Sequence, residues 1–179
     1  MNTEVLAYRK HRNLKLAAAE LGIAWQTLYV RLKKIGEPVT GDKLRYGTDR
    51  DKLGALGEME FKRLVPFAVD RNALRFQSKY DFEVAGFKID VKASMPRQLN
   101  KKYPALSWSF SFKRQSLVCD FVVCFCIGLD RSVEHLLLIP SEMFAGLQTV
   151  SVSRDGGSKW LQYAVNPEEL AIFFSELAQ

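Results

Sequence analysis

Seven consecutive apolar residues, Phe121–Ile127, are the tightest constraint on how this chain can fold. A strand with one wet face alternates apolar and polar side chains, so an unbroken apolar run must be covered on both faces. The run predicts a central strand with packing layers above and below it. The runs around it complete the layers. Helical spacing at Leu53, Leu56, Phe61, Leu64 and Val65 predicts a helix that Pro66 ends. Tyr80–Val84 and Lys88–Lys92 flank Ala85-Gly86 and predict a hairpin. Ala73–Gln77, Leu106–Phe112, His135–Ile139 and Thr149–Ser153 predict further strands. Ser141-Glu142 marks a helix start, Gly156-Gly157 a turn, and Pro167–Leu177 a closing amphipathic helix. The class is α/β or α+β, with one mixed central sheet flanked by helices.

Charge divides the chain. Of its 179 residues, 1–52 carry 11 Lys/Arg against 6 Asp/Glu, and 53–179 carry 15 against 14. Most of the net +6 therefore sits on a small basic head, which suggests a polyanion partner. No apolar run approaches the ~20 residues of a membrane span, which excludes a membrane protein of that kind. The start, MNTEVLAYRK, has no apolar core of a secretory signal, so a cytoplasmic protein is expected. Cys119, Cys124 and Cys126 are odd in number and form no CxxC pair, and they read as reduced core residues.

Within the head, Leu14, Ala17, Ala18 and Leu21 follow helical spacing until Gly22. A second helix is expected from Trp25 to Ile35, with Leu28, Leu32 and Ile35 inward. Trp25, Gln26, Thr27, Arg31 and Lys34 are its candidate DNA contacts, because a short helix with a polar, basic face can enter the major groove. The motif Leu21-Gly22-Ile23, Thr27-Leu28-Tyr29 and Leu32-Lys33-Lys34 resembles the Fis-type helix–turn–helix. Residues 1–36 are expected to form this head. Residues 37–52, rich in Pro, Gly, Thr and charge, are expected to be a linker in which Lys43, Arg45 and Arg50 can touch phosphates. Residues 53–179 form the body.

Residues 79–94, KYDFEVAGFKIDVKAS, carry the chemistry. Asp90 and Lys92 share one face of their strand and Val91 takes the other. Burying a carboxylate and an ammonium without purpose costs several kcal/mol. Asp81 lies across the hairpin from Asp90, and Glu58 on the preceding helix offers a third carboxylate. Hard oxygen ligands around an open site suit Mg²⁺ or Mn²⁺, and a neighbouring lysine suits phosphodiester hydrolysis.

Glu58 after Gly57, Asp81, and Asp90-Val91-Lys92 together resemble the PD-(D/E)xK restriction-endonuclease-like superfamily, which includes Holliday-junction resolvases and Mrr-like nucleases. Tyr80 stands where the superfamily often has Pro, and Asp90 where it often has Glu. The resemblance implies a restriction-endonuclease-like core. It implies Glu58, Asp81, Asp90 and the Val91 backbone carbonyl as metal ligands, and Lys92 beside them in catalysis. It implies a divalent-metal-dependent DNA endonuclease acting on double-stranded, site-specific or branched DNA, most simply as a homodimer. Lys113 and Gln115 are further candidate phosphate contacts. The alternative is a non-catalytic DNA-binding protein on an inactive scaffold of the same kind.

Overall fold

The computed structural model describes residues 2–73, 78–99, 101, 102, 104–112 and 118–179. The chain forms two compact units, the first built on Met1–Lys52 and the second on Leu53–Asp70 with Lys79–Gln179. The expected strand at Ala73–Gln77 falls almost wholly outside the described residues, as do Lys113 and Gln115.

The first unit has a core of helices α1 (Thr3–His11), α2 (Leu14–Glu20) and α3 (Trp25–Lys34). Asn2 caps α1 by accepting the Glu4 N–H, and Asn13 caps α2 by accepting from Lys15 and Leu16. Between α2 and α3 the chain turns at Gly22, whose φ of +66° is left-handed. Tyr8, Ala17, Ala18, Leu28 and Leu32 fill the core. The small alanines of α2 make room there for the large side chains of α1 and α3. Ile35, expected inward, lies one residue beyond α3 and is 49% exposed. Val5, Ala7 and Tyr8 of α1 complete this core.

Part of the expected linker is packed against α1. Glu37 is buried and accepts two hydrogen bonds from the Arg9 guanidinium, at 2.8 and 2.7 Å. Arg12 donates to Thr40, and the Gly41 N–H donates to the Tyr8 hydroxyl. A short helix α4 (Lys43–Tyr46) follows, and then α5 (Asp49–Leu64), which starts with reciprocal hydrogen bonds between Thr48 and Asp51.

In the second unit, two-residue strands β1 (Val69–Asp70) and β9 (Ala164–Val165) edge a mixed sheet. Its inner strands are β2 (Phe82–Val84), β3 (Phe87–Ser94), β6 (Phe121–Ile127) and β7 (Val133–Pro140), in the order β1-β2-β3-β6-β7-β9. β3 and β6 are parallel and the other neighbours antiparallel. β4 (Arg97–Gln98), β5 (Leu106–Ser111) and β8 (Thr149–Ser153) make a second, antiparallel sheet in the order β4-β5-β8.

The double coverage of β6 is met by two different layers. Val123, Phe125 and Ile127 face α5 and α6 (Pro167–Leu177), packing with Phe61, Val65, Leu170 and Phe174. Val122, Cys124 and Cys126 face the small sheet, packing with Trp108, Phe110, Val150 and Val152. The Trp108 indole N–H crosses to the Ile127 carbonyl at 2.8 Å. All three cysteines are buried thiols outside any disulfide. Among the described residues no helix is long and apolar enough to cross a membrane.

Candidate active site

The site is built on the β2–β3 hairpin. Its turn, Ala85-Gly86, has φ of +50° and +85°, and the two-residue loop fixes the register Phe82↔Ile89. The Asp81 N–H donates to the Ile89 carbonyl at 2.9 Å, and β2 extends no further toward the C-terminal half of β3. β3 runs on, and among the described strands it pairs only with β6 along that half. The Val91 N–H, left without a strand partner, donates instead to the Asp81 carboxylate at 2.7 Å. A buried backbone donor thus fixes the position of Asp81.

Along β3, Ile89, Val91 and Ala93 pack into the helical side of the sheet. Asp90 and Lys92 alternate with them and share the face of their register partners Val122 and Cys124. Asp90 is 5% exposed, and the Lys92 Nζ lies 2.5 Å from its Oδ2. Burial pushes the Asp90 carboxyl up to about 6; Lys92 pulls it down, and nearby Asp81 adds repulsion and a hydrogen bond to the protonated form. Burial pulls the Lys92 ammonium down, but the charge and hydrogen bond of Asp90 outweigh it and the net shift is upward. The pair shares its wall with thiols: Cys119 meets Ser141 at 3.2 Å, and burial pushes Cys124 well above its ordinary value. A thiol so far from ionisation serves as packing, not as a nucleophile.

Helix α5 reaches β3 through Gly57. A Cβ there would come within 3.0 Å of the Ala93 Cβ and 3.6 Å of Val91. Glycine suits this close approach, which brings α5 against β3 at the residue before Glu58. Glu60, the competing carboxylate, is committed to Arg63 at 2.9 and 2.6 Å. Asp81, Asp90 and Lys92 are therefore brought together. Glu58 does not complete a group of three with the two aspartates: among the described residues no three His, Cys, Asp or Glu are gathered to hold a metal ion. Along β3, Val91 and Ala93 face α5, and Asp90 and Lys92 face the opposite side of the sheet.

In the first unit, Trp25, Gln26, Thr27, Arg31 and Lys34 are all exposed on α3. Arg31 is engaged by Glu4 of α1 at 2.7 Å. Tyr29, Val30 and Lys33 are exposed on the same helix. The helical period carried the signal: with Leu28 and Leu32 inward, those three positions must face out. His11 shares the Glu20 carboxylate with Lys10, and His135 packs edge-on against Trp108.

The sequence matches no family model, and it matches none of the curated proteins compared with it.

Proposed function

We propose that the chain is a divalent-metal-dependent DNA endonuclease on a restriction-endonuclease-like core, with its helical head holding duplex DNA. The observation that carries this reading is the convergence of Asp81, Asp90 and Lys92 on one hairpin, with Asp90 and Lys92 paired at 2.5 Å in a largely dry setting. A buried ion pair is weak support for stability, since apolar residues of like volume do as well or better. Chemistry gives it a reason.

The donor chemistry suits Mg²⁺ or Mn²⁺: two carboxylates and the Val91 carbonyl are hard oxygens, with Glu58 on α5 as the further carboxylate that the family resemblance implies. A bound ion would supply an acidified water and offset charge on the phosphate. The protein's own groups do the rest. Asp81, fixed by the Val91 N–H, orients the site. Lys92 offsets negative charge that develops on the phosphate and positions the attacking water. The exposed polar and basic face of α3 supports duplex binding. Cutting both strands from one site per chain favours a homodimer.

Two observations favour the non-catalytic alternative: Lys92 already pairs with Asp90, and among the described residues no third carboxylate joins Asp81 and Asp90. Cleavage of supercoiled plasmid and branched DNA with Mg²⁺ or Mn²⁺ decides. Nicking that EDTA and Lys92→Ala both abolish is the expected result. Duplex binding with no cleavage in either metal would establish the alternative.

A further inference from the structure

Helix α3 leaves two aromatic rings in solvent. Its inward residues Leu28 and Leu32 are fully buried and supply its share of the head's core. Trp25 is 42% exposed, Tyr29 41% and Val30 50%. The other two tryptophans are buried, Trp108 edge-on against His135 and Trp160 stacked on Phe144. Trp25 and Tyr29 stand one helical turn apart, about 6 Å along the axis, on one flank of α3. Among the described residues neither ring packs on another aromatic ring or under a cation. A single exposed apolar side chain is ordinary, but two rings side by side make a patch that gains by being covered.

Charge says what covers it. α3 carries Arg31, Lys33 and Lys34 and no acidic residue. Glu4 of α1 engages Arg31, whereas Lys33 and Lys34 are exposed. Lys33 continues the row of Trp25 and Tyr29 one turn further on. Two rings followed by cations suit a ligand that offers flat faces and anionic links in alternation.

Nucleic acid with unpaired bases is such a ligand. In a paired duplex each base face is covered by its neighbours, and the grooves show only base edges. Unpaired bases stack on aromatic side chains, while their phosphates meet lysines. From the two rings, their spacing and the cations that follow them, we propose that α3 binds unpaired bases where duplex DNA is interrupted by a gap or a branch. Bases lie on Trp25 and Tyr29, and the adjoining phosphates meet Lys33 and Lys34. This rests on the DNA-binding reading of the head and narrows its substrate to DNA with single-stranded character.

The test uses the full-length chain in EDTA, with cleavage read separately in Mg²⁺ or Mn²⁺. Anisotropy compares a fluorescein-labelled paired duplex with the same duplex carrying a run of unpaired thymines. The parent should bind the second about five- to a hundredfold more tightly, the range that stacking of one base supplies. Trp25→Ala and Tyr29→Ala should each remove most of that preference, and Trp25→Phe should keep much of it. Lys33→Ala should weaken both complexes and lower the salt slope by about one. Because Trp108 and Trp160 are buried, iodide quenching of tryptophan emission reads chiefly Trp25. DNA with the unpaired run should shield it, and the paired duplex should not. If the parent binds both DNAs equally, or Trp25→Ala weakens both by the same factor, the rings do not take unpaired bases and the duplex reading of the head stands. Shielding that grows with protein concentration in the absence of DNA would mean that a second copy covers the rings, and the proposal falls. If the preference and the shielding appear while the parent cuts nothing in either metal, the proposal stands and the endonuclease reading falls. A parent chain that binds neither DNA overturns both.

Discussion

Replacing Lys92 with methionine keeps most of the side-chain volume and removes the charge that faces Asp90. In the parent protein the Asp90 carboxyl titrates at about 6, because burial outweighs the help of Lys92. A carboxyl raised in the folded state subtracts stability as pH climbs from its unfolded value of about 3.9 to its folded value. Ionising Asp90 therefore costs the parent about 3 kcal/mol, all of it in place at pH 7.5. Without Lys92 the pull that lowers Asp90 is lost, and burial and Asp81 raise its carboxyl further. The limit is an Asp90 that stays fully protonated at pH 7.5, which costs about 5 kcal/mol relative to the unfolded chain. At about pH 5 both proteins hold the proton and incur the same cost. The gap in stability between parent and Lys92→Met should thus widen from pH 5 to pH 7.5, by up to about 2 kcal/mol. Urea unfolding followed by circular dichroism at the two pH values measures it. Adding Asp90→Asn should erase the pH dependence of the gap. A gap that is the same at both pH values would refute the reasoning, because Lys92 would then not be what holds the Asp90 charge.

Three other outcomes follow from the same geometry. Asp81→Ala leaves the Val91 N–H without its acceptor and should cost about 1–3 kcal/mol in urea unfolding, together with loss of metal-dependent nicking. Gly57→Val forces branched carbons into the 3.0 Å approach to Ala93 and should cost about 1–3 kcal/mol by overpacking, visible as a lowered Tm. In the head, the hydrogen bonds from Arg9 hold the Glu37 carboxyl below its ordinary value. Its contribution is present at neutral pH and is lost as pH falls through that lowered value. Glu37→Ala should therefore lower the thermal midpoint of the full-length chain near pH 7, and the difference from the parent should shrink in acid.

Much of the layered plan was legible because burial leaves a periodic mark. The apolar run at Phe121–Ile127 and the alternation of LSWSFSF each mapped onto a strand at or within a residue of the expected ends. The hairpin was legible because Ala85-Gly86 sits between two strand-like runs, and its register followed from the turn. Two-residue strands such as β1, β4 and β9 left no such mark, since their pairing is decided by the neighbours they meet. Helix α1 was equally hidden: Val5, Ala7 and Tyr8 make too short an apolar pattern to read before α2 and α3 are in place around it.

For the site, the sequence by itself determined the partners on one strand. Residues 90 and 92 must share a face, because the strand period is two, and a two-residue turn must bring Asp81 back toward them. What lies across the sheet was decided by tertiary structure alone. The second layer over β6 is a small sheet on one face and helices on the other, a choice that apolar content does not specify. The same packing draws Gly57 onto Val91 and Ala93, and so decides which side of β3 the Glu58 helix approaches. It also buries Asp90 against Lys92, and from that contact come the raised carboxyl and the pH dependence that a list of residue types cannot contain. Short-range periodicity fixes which side chains travel together along the chain, whereas desolvation and charge depend on every group that closes in from elsewhere.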